Sequence, residues 1–288
     1  MQIGFAGVGL MGRGMVLNLL DGGHRVRVIA NNNREPIDAV VAGGAEEASS
    51  LAGLVEGAAV VMLCLNDSRT VERIAAAIKP HMRRGQIVID TTTANPSSTR
   101  RLAREFAYIG VSFVDAPMTG GPEEALAGET GALVGADEEV FNAIAPLINC
   151  YANRIVHFGP VGAGHTAKLI SNYLACGMVA LIADTFNTAA RAKVDWSKLY
   201  DVMLAGSGNS GALRKIVGPA LKGDYNGYKF SIANAAKDMG YFAEVAENLH
   251  HLSPLAATAR AALDSAVERG WGDLNVSRLI DPLVVSRH

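Results

Sequence analysis

The stretch from Gly159 to Arg191 limits what this chain can fold into more than any other. It opens as Gly159-Pro160-Val161-Gly162-Ala163-Gly164, three closely spaced glycines of the kind that let backbone pass near a ligand. Beyond Gly164 it holds no proline and one glycine, Gly177. Ala167, Leu169, Ile170, Leu174, Ala175, Met178, Val179, Leu181, Ile182 and Phe186 place apolar groups almost all the way round, the pattern of a helix enclosed in a core. A helix over about 163–191 would run roughly 40 Å, longer than one small domain needs. It is therefore expected to join two domains. A membrane span is not expected, because the unbroken apolar run from Tyr173 to Ala183 is short and Lys168, Asn172, Asp184 and Arg191 interrupt the segment. Lys168 and Asn172 lie four apart and share a helix face. On spacing alone Lys168 has two readings, a helix lysine with its ammonium in water or a lysine aimed into a cleft with Asn172 beside it.

The first thirty residues narrow the choice. The apolar run Gln2 to Ala6 feeds directly into Gly7-Val8-Gly9-Leu10-Met11-Gly12, a helical pattern follows to Leu20, and His24 to Ala30 reads as a second strand. Strand, G-x-G-x-x-G, helix, strand is the context that gives this motif meaning. Gly7 permits the tight turn, Gly9 lets a pyrophosphate touch backbone, and Gly12 lets helix and strand close up. The helix N-terminus at Leu10 and Met11 supplies donors and the positive end of the dipole. At the end of the second strand, Asn31-Asn32-Asn33 stand where a carboxylate would bind a ribose 2′-hydroxyl, and the first charge is Arg34. That pattern favours NADP over NAD, with a solvated loop arginine as the rival reading.

Alternation continues through the first half. Strands are expected at Ala58 to Leu65, Gln86 to Ile89, Val111 to Val114, Gly131 to Val134 and Ile155 to Phe158. Helices are expected at Ser68 to Ile78, Ser97 to Phe106 and Glu138 to Leu147. The polar strand ends, Asn66, Thr93 and Asp115 to Gly121, fall where cofactor and substrate should sit in a doubly wound sheet. Beyond Arg191 only helices are expected, at Ser197 to Leu204, Gly211 to Leu221, Ile232 to Leu249 and Pro254 to Arg269, with an extended tail from Asp273 to His288. The fold class is thus α/β, a Rossmann-type doubly wound sheet over 1–160 followed by an all-α domain over 161–288. A net charge of −2 over 288 residues argues against a nucleic-acid footprint. Cys64, Cys150 and Cys176 offer neither metal-ligand spacing nor a disulfide framework, so no metal is expected and a reduced, cytoplasmic compartment is the default. The histidines carry no spacing that demands a metal and read as structural or surface residues; His165, three residues before Lys168, could border the cleft, but nothing requires it.

Four motifs in order carry a resemblance. They are Gly7-x-Gly9-x-x-Gly12 with Met15 and Asn18-Leu19; Asp115-Ala116-Pro117-Met118-Thr119-Gly120-Gly121; Gly159-x-x-Gly162-x-Gly164-x-x-x-Lys168-x-x-x-Asn172; and Phe230 followed by Lys237-Asp238. The set resembles the β-hydroxyacid dehydrogenases, the family of 3-hydroxyisobutyrate dehydrogenase, tartronate semialdehyde reductase and glyoxylate reductases, over essentially the whole chain. The resemblance implies a long interdomain helix and a helical domain that builds homodimers or homotetramers. It implies Lys168 as catalytic acid/base with Asn172 as its companion, and Thr119, Gly120 and Gly121 as the loop for a substrate carboxylate. Leu65, Asn66 and Thr93 match cofactor-contacting strand ends, Lys237 a lysine near nicotinamide and substrate, and Asp238 its neighbour. The implied reaction is hydride transfer between NAD(P) and a small 3-hydroxy acid or its semialdehyde, with no membrane or nucleic-acid partner. Thr119 stands where serine is usual, and Met118 where a small aliphatic residue is usual. Ser171 disfavours 6-phosphogluconate dehydrogenase chemistry, and Lys168 disfavours an imine substrate. Two alternatives stay open, a non-catalytic nucleotide-binding module and a reductase for a phosphonate- or sulfonate-bearing aldehyde.

Overall fold

A computed structural model describes residues 1–31 and 33–285; Asn32 of the expected cofactor loop and the last three residues of the expected tail lie outside the described residues. The chain divides into two compact units, Met1–Lys168 and Leu169–His288. The division falls a few residues past the expected boundary at 160, because the first turn of the long helix is bonded into the first unit.

In that unit β1 (Gln2–Ala6), α1 (Leu10–Asp21), β2 (Arg25–Ile29), α2 (Glu35–Ala42), β3 (Glu46–Ala48), α3 (Leu51–Val55), β4 (Val60–Leu63), α4 (Ser68–Ile78), β5 (Ile87–Asp90), α5 (Pro96–Ala107) and β6 (Ser112–Asp115) alternate in chain order. The six strands pair in parallel, in the order β3-β2-β1-β4-β5-β6. This order reverses at β1/β4, which puts the ligand crevice at the carboxyl ends of those strands. There follow β7 (Met118–Thr119), α6 (Pro122–Ala127), β8 (Thr130–Gly135), α7 (Glu138–Ile148) and β9 (Ala152–Gly159). Strand β8 runs antiparallel to β6 and β7 and parallel to β9.

The all-apolar β4 is explained by burial on both faces. Val60 and Met62 join a core with Met15 and Leu19 of α1. Val61 and Leu63 join another with Val71, Ala75 and Ile78 of α4 and Leu102 and Phe106 of α5. Asp67 accepts from the Thr70 N–H at 2.7 Å, which is why α4 starts at Ser68. The Asn95 side chain likewise caps α5, where Pro96 takes the first helical position.

Helix α8 (Ala163–Arg191) has the expected span. The rest of the second unit is α9 (Trp196–Ala205), α10 (Gly211–Ala220), α11 (Ile232–Asn248), α12 (Pro254–Ala266) and α13 (Pro282–Val285). Leu169, Cys176, Val179 and Phe186 of α8 pack with Ile216, Val217, Met239, Leu263 and Ile280. The expectation of a helix enclosed all round is not met. Ile170, Leu174 and Leu181 are exposed at 51%, 65% and 69%. By length and composition only, α8 is also long and apolar enough to cross a membrane.

Two further expectations are corrected. α12 stops at Ala266 and gives way to a wider turn over Val267–Trp271, where Gly270 takes φ +81°. The tail is not extended. Val276–Ile280 forms a 3₁₀ turn with Val276 and Ile280 buried, and α13 follows. The Ile232 N–H donates to Leu274 O at 2.9 Å and the Val276 N–H to Phe230 O at 2.8 Å, so the tail is bonded to the start of α11.

Candidate functional site

The glycine loop after β1 has the geometry its spacing predicts. Gly7 takes φ +107°, and a Cβ there would fall on the Cys64 carbonyl. A Cβ on Gly12 would fall on the Gly7 carbonyl, whereas one on Gly9 would meet nothing within 4 Å. Gly9 caps α1 without a side-chain hydrogen bond, and the first turn holds no acidic residue. Open space over an uncapped helix N-terminus fits a pyrophosphate. Leu10 is exposed and Met11 half-buried at the same end.

The loops after β4 and β5 are tied to each other. The Leu65 N–H donates to Thr92 Oγ1 at 2.9 Å, and the Asn95 N–H to Ser68 Oγ at 2.7 Å. Asn66 is exposed and Thr93 half-buried beside this tie. Cys64, at the end of β4, has its thiol pushed up to about 11 by burial.

Asp115 plays a part that its place in a loop motif did not reveal. Fully buried at the end of β6, it accepts from the Gly162 N–H at 2.6 Å and the His165 N–H at 2.7 Å. One carboxylate thus caps the first turn of α8. A Cβ on Gly164 would fall on the Leu133 carbonyl and lie 2.9 Å from the Gly135 nitrogen and 3.0 Å from the Asp115 oxygen. The glycines were expected to admit a ligand. Gly164 instead admits the backbone of β8, which seats the helix start on the sheet.

His165, also fully buried, is a fixed part of this seat. Its Nδ1 is 2.7 Å from Thr99 Oγ1, and its Nε2 donates to Thr92 O at 2.7 Å. Asp90 lies next to Asp115 in strand register, with Oδ2 4.0 Å from His165 Nε2. Burial raises the Asp90 carboxyl above the usual carboxylate range. Lys168 is half-buried one turn further along α8, at the end of the first unit.

Thr119 ends β7, and its hydroxyl sits against Gly131 of β8. Gly120 is exposed with φ +99°, a conformation a larger residue would find strained. The Gly121 N–H donates to Glu124 Oε2 at 2.8 Å and starts α6. At Gly121, one of the three residues matched to a carboxylate loop, the N–H is thus bound by the protein's own carboxylate. Glu at the third helical position after a cap is the signal that could have shown this.

Arg34 is also engaged. Its two terminal nitrogens bind both oxygens of Glu47, at 2.6 and 3.1 Å, and one of them binds Asp38 Oδ1 at 2.8 Å. Arg34, which the sequence offered either as a 2′-phosphate ligand or as a solvated loop charge, is thus paired with two carboxylates. Asn31 is exposed beside it.

In the second unit Asn172 Nδ2 donates to Asp238 Oδ2 at 2.6 Å, and Lys237 Nζ lies 3.0 Å from Asp238 Oδ1. Asp238 is buried, and Lys237 lies over the Tyr241 ring at 5.3 Å. The buried carboxylate, bonded from α8, makes Lys237 and Asp238 a built cluster. Among the described residues no group of three or more His, Cys, Asp or Glu could hold a metal ion.

Residues 2–159 match the NAD-binding domain of 6-phosphogluconate dehydrogenase, and residues 162–283 the NAD-binding domain of NADP-dependent 3-hydroxyisobutyrate dehydrogenase. The chain belongs to the β-hydroxyacid dehydrogenase family. It is similar to an NAD-dependent L-serine dehydrogenase of Pseudomonas aeruginosa, 30% identical over 98% of each chain. A 3-hydroxyisobutyrate dehydrogenase of the same organism is 31% identical over 90% of each. Among solved structures, Mycobacterium tuberculosis 3-hydroxyisobutyrate dehydrogenase with L-serine superposes with a TM-score of 0.87, at 27% identity and 98% coverage of each chain. The Rossmann-type sheet followed by an all-helical domain is the fold of these relatives. The family is one of NAD(P)-dependent hydroxyacid dehydrogenases.

Proposed function

We propose that this chain interconverts a small 3-hydroxy acid and its semialdehyde, with Lys168 as the general acid and base. The observation that carries the reading is the seat of α8. Two backbone N–H groups on Asp115 and a glycine pressed on β8 fix the helix start, and so fix where the Lys168 backbone stands. An acid or base works only when held within reach of its proton, and a capped, packed first turn supplies that order. A nicotinamide dinucleotide, when bound, supplies or accepts the hydride. In the loop shaped by Gly7 and Gly12, Gly9 would let its pyrophosphate approach the backbone at the start of α1, with Leu10 and Met11 giving helix N-terminal donors. Leu65, Asn66 and Thr93 border the same crevice at the ends of β4 and β5.

For reduction the Lys168 ammonium gives a proton to the alkoxide oxygen as it forms. For oxidation the neutral amine takes that proton back. The Thr119 hydroxyl and the sharp turn at Gly120 would receive the substrate carboxylate. Asn172, Lys237 and Asp238 act as one unit, in which Asp238 fixes both the amide and the ammonium. Self-association through α8 belongs to the same reading, since Ile170, Leu174 and Leu181 expose one apolar stripe.

Lys168→Ala is expected to lower kcat by about 10²- to 10⁴-fold, the usual worth of a positioned proton donor, with the cofactor dissociation constant unchanged. Steady-state kinetics beside a cofactor titration make the check. A Lys168→Ala enzyme turning over at the wild-type rate would remove the assignment.

A further inference from the structure

We propose that Glu47, with Asp38, selects against a 2′-phosphate on the adenosine ribose, so that this chain prefers NAD over NADP. The inference rests on the dinucleotide-binding reading above. In a doubly wound sheet the adenosine ribose is bound at the end of the second strand, and the nearest charge there decides which cofactor form is accepted. Arg34 is the only lysine or arginine between Arg27 and Arg69. Four carboxylates, Glu35, Asp38, Glu46 and Glu47, lie within the next thirteen residues. Glu46 is taken by Arg27 at 3.2 Å. Glu47 stands on β3, opposite Val28 of β2, and reaches Arg34 at the start of α2 with both oxygens.

A guanidinium recognises phosphate through the same two-pronged fork that binds a carboxylate. That fork is filled by Glu47, and Asp38 adds a contact to one of its nitrogens. Pairing with Arg34 holds the Glu47 carboxyl below the ordinary carboxylate range, so it is ionised at neutral pH. One arginine against two carboxylates leaves the cluster net negative. A phosphate arriving there must displace Glu47 and stay beside its charge. A ribose hydroxyl needs neither step and can be met by a carboxylate oxygen or by the amide of Asn31 or Asn33. Arg34 in this arrangement organises the carboxylates and is not itself a phosphate ligand.

The test is a calorimetric titration of the full chain with ADP-ribose and with 2′-phospho-ADP-ribose, ligands that lack nicotinamide and report binding without turnover. Wild type is expected to bind ADP-ribose at least about tenfold more tightly in 50 mM salt. Glu47→Gln should narrow that ratio by about fivefold, as expected for removing one charge several ångströms from a phosphate in a solvated setting, and by less in 0.5 M salt. Asp38→Asn should shift it the same way, less strongly. Tighter binding of the 2′-phosphorylated ligand by wild type, or an unchanged ratio in Glu47→Gln, would overturn the proposal. Binding of neither ligand would be a different result, overturning the dinucleotide site itself and this proposal with it.

Discussion

Replacing Gly164 with alanine tests whether α8 is seated on the sheet as described. The added Cβ would meet the Leu133 carbonyl, the Gly135 nitrogen and the Asp115 oxygen, all of them backbone atoms. A side chain could rotate away; backbone of a paired strand cannot without disturbing the β6–β8 and β8–β9 pairing. Overpacking of this kind costs about 1–3 kcal/mol. Any shift of the helix also strains the two N–H groups held by Asp115, and charged hydrogen bonds are worth about 1.5–3 kcal/mol each. A loss of about 2–4 kcal/mol in the first unit follows. Gly53→Ala is the matched control. It lies inside α3 of the same unit, its Cβ would meet only the Ser50 hydroxyl at 3.5 Å and the Ala48 methyl at 4.0 Å, and it should stabilise by about 0.4–1 kcal/mol. Urea unfolding followed by far-ultraviolet circular dichroism reads both, with each transition fitted separately because the chain has two units. A Gly164→Ala midpoint equal to wild type would refute the close seat of α8.

Two further outcomes are expected. With its thiol pushed up to about 11, Cys64 should be about 0.1% thiolate at pH 8, so alkylation tracked by peptide mass spectrometry should keep rising about tenfold per pH unit past 9. Stability moves the opposite way with pH. The raised folded-state value contributes stability below the unfolded thiol's range near pH 8.5, and that contribution fades as pH climbs to 11; an alkylation plateau by pH 9 would contradict the burial. The double variant Leu174→Glu with Leu181→Glu should lower the mass measured by light scattering while leaving the far-ultraviolet circular dichroism spectrum of the folded chain unchanged, since both side chains are exposed in the single chain. An unchanged mass would rule out association through that stripe.

What could be read from the residues divides along physical lines. Helix α4 was legible to the residue because Asp67 caps it and its apolar positions recur with helical spacing. The span of α8 was legible because glycines bound its start and nothing breaks its interior. The degree of its burial was not, since composition cannot say whether Ile170, Leu174 and Leu181 meet this chain or another. Strand β3, helix α3 and strand β7 are two to five residues long, too short for a period to show. The roles of Asp115 and Glu47 depend on partners 47 and 13 residues away. Glu47 itself stands on β3, a strand that the sequence did not announce. Lys168 and Asn172 were visible by spacing, but the Asn172–Asp238 bond crosses 66 residues, and only the fold brings it about.

The most direct measurement is nicotinamide absorbance at 340 nm, with purified protein, NADH or NADPH, and small semialdehydes and 3-hydroxy acids offered in both directions. Turnover of at least one acid–semialdehyde pair, lost in Lys168→Ala, is the predicted result. Tight cofactor binding with no turnover of any such pair would contradict the dehydrogenase assignment and favour a nucleotide-binding module without catalysis.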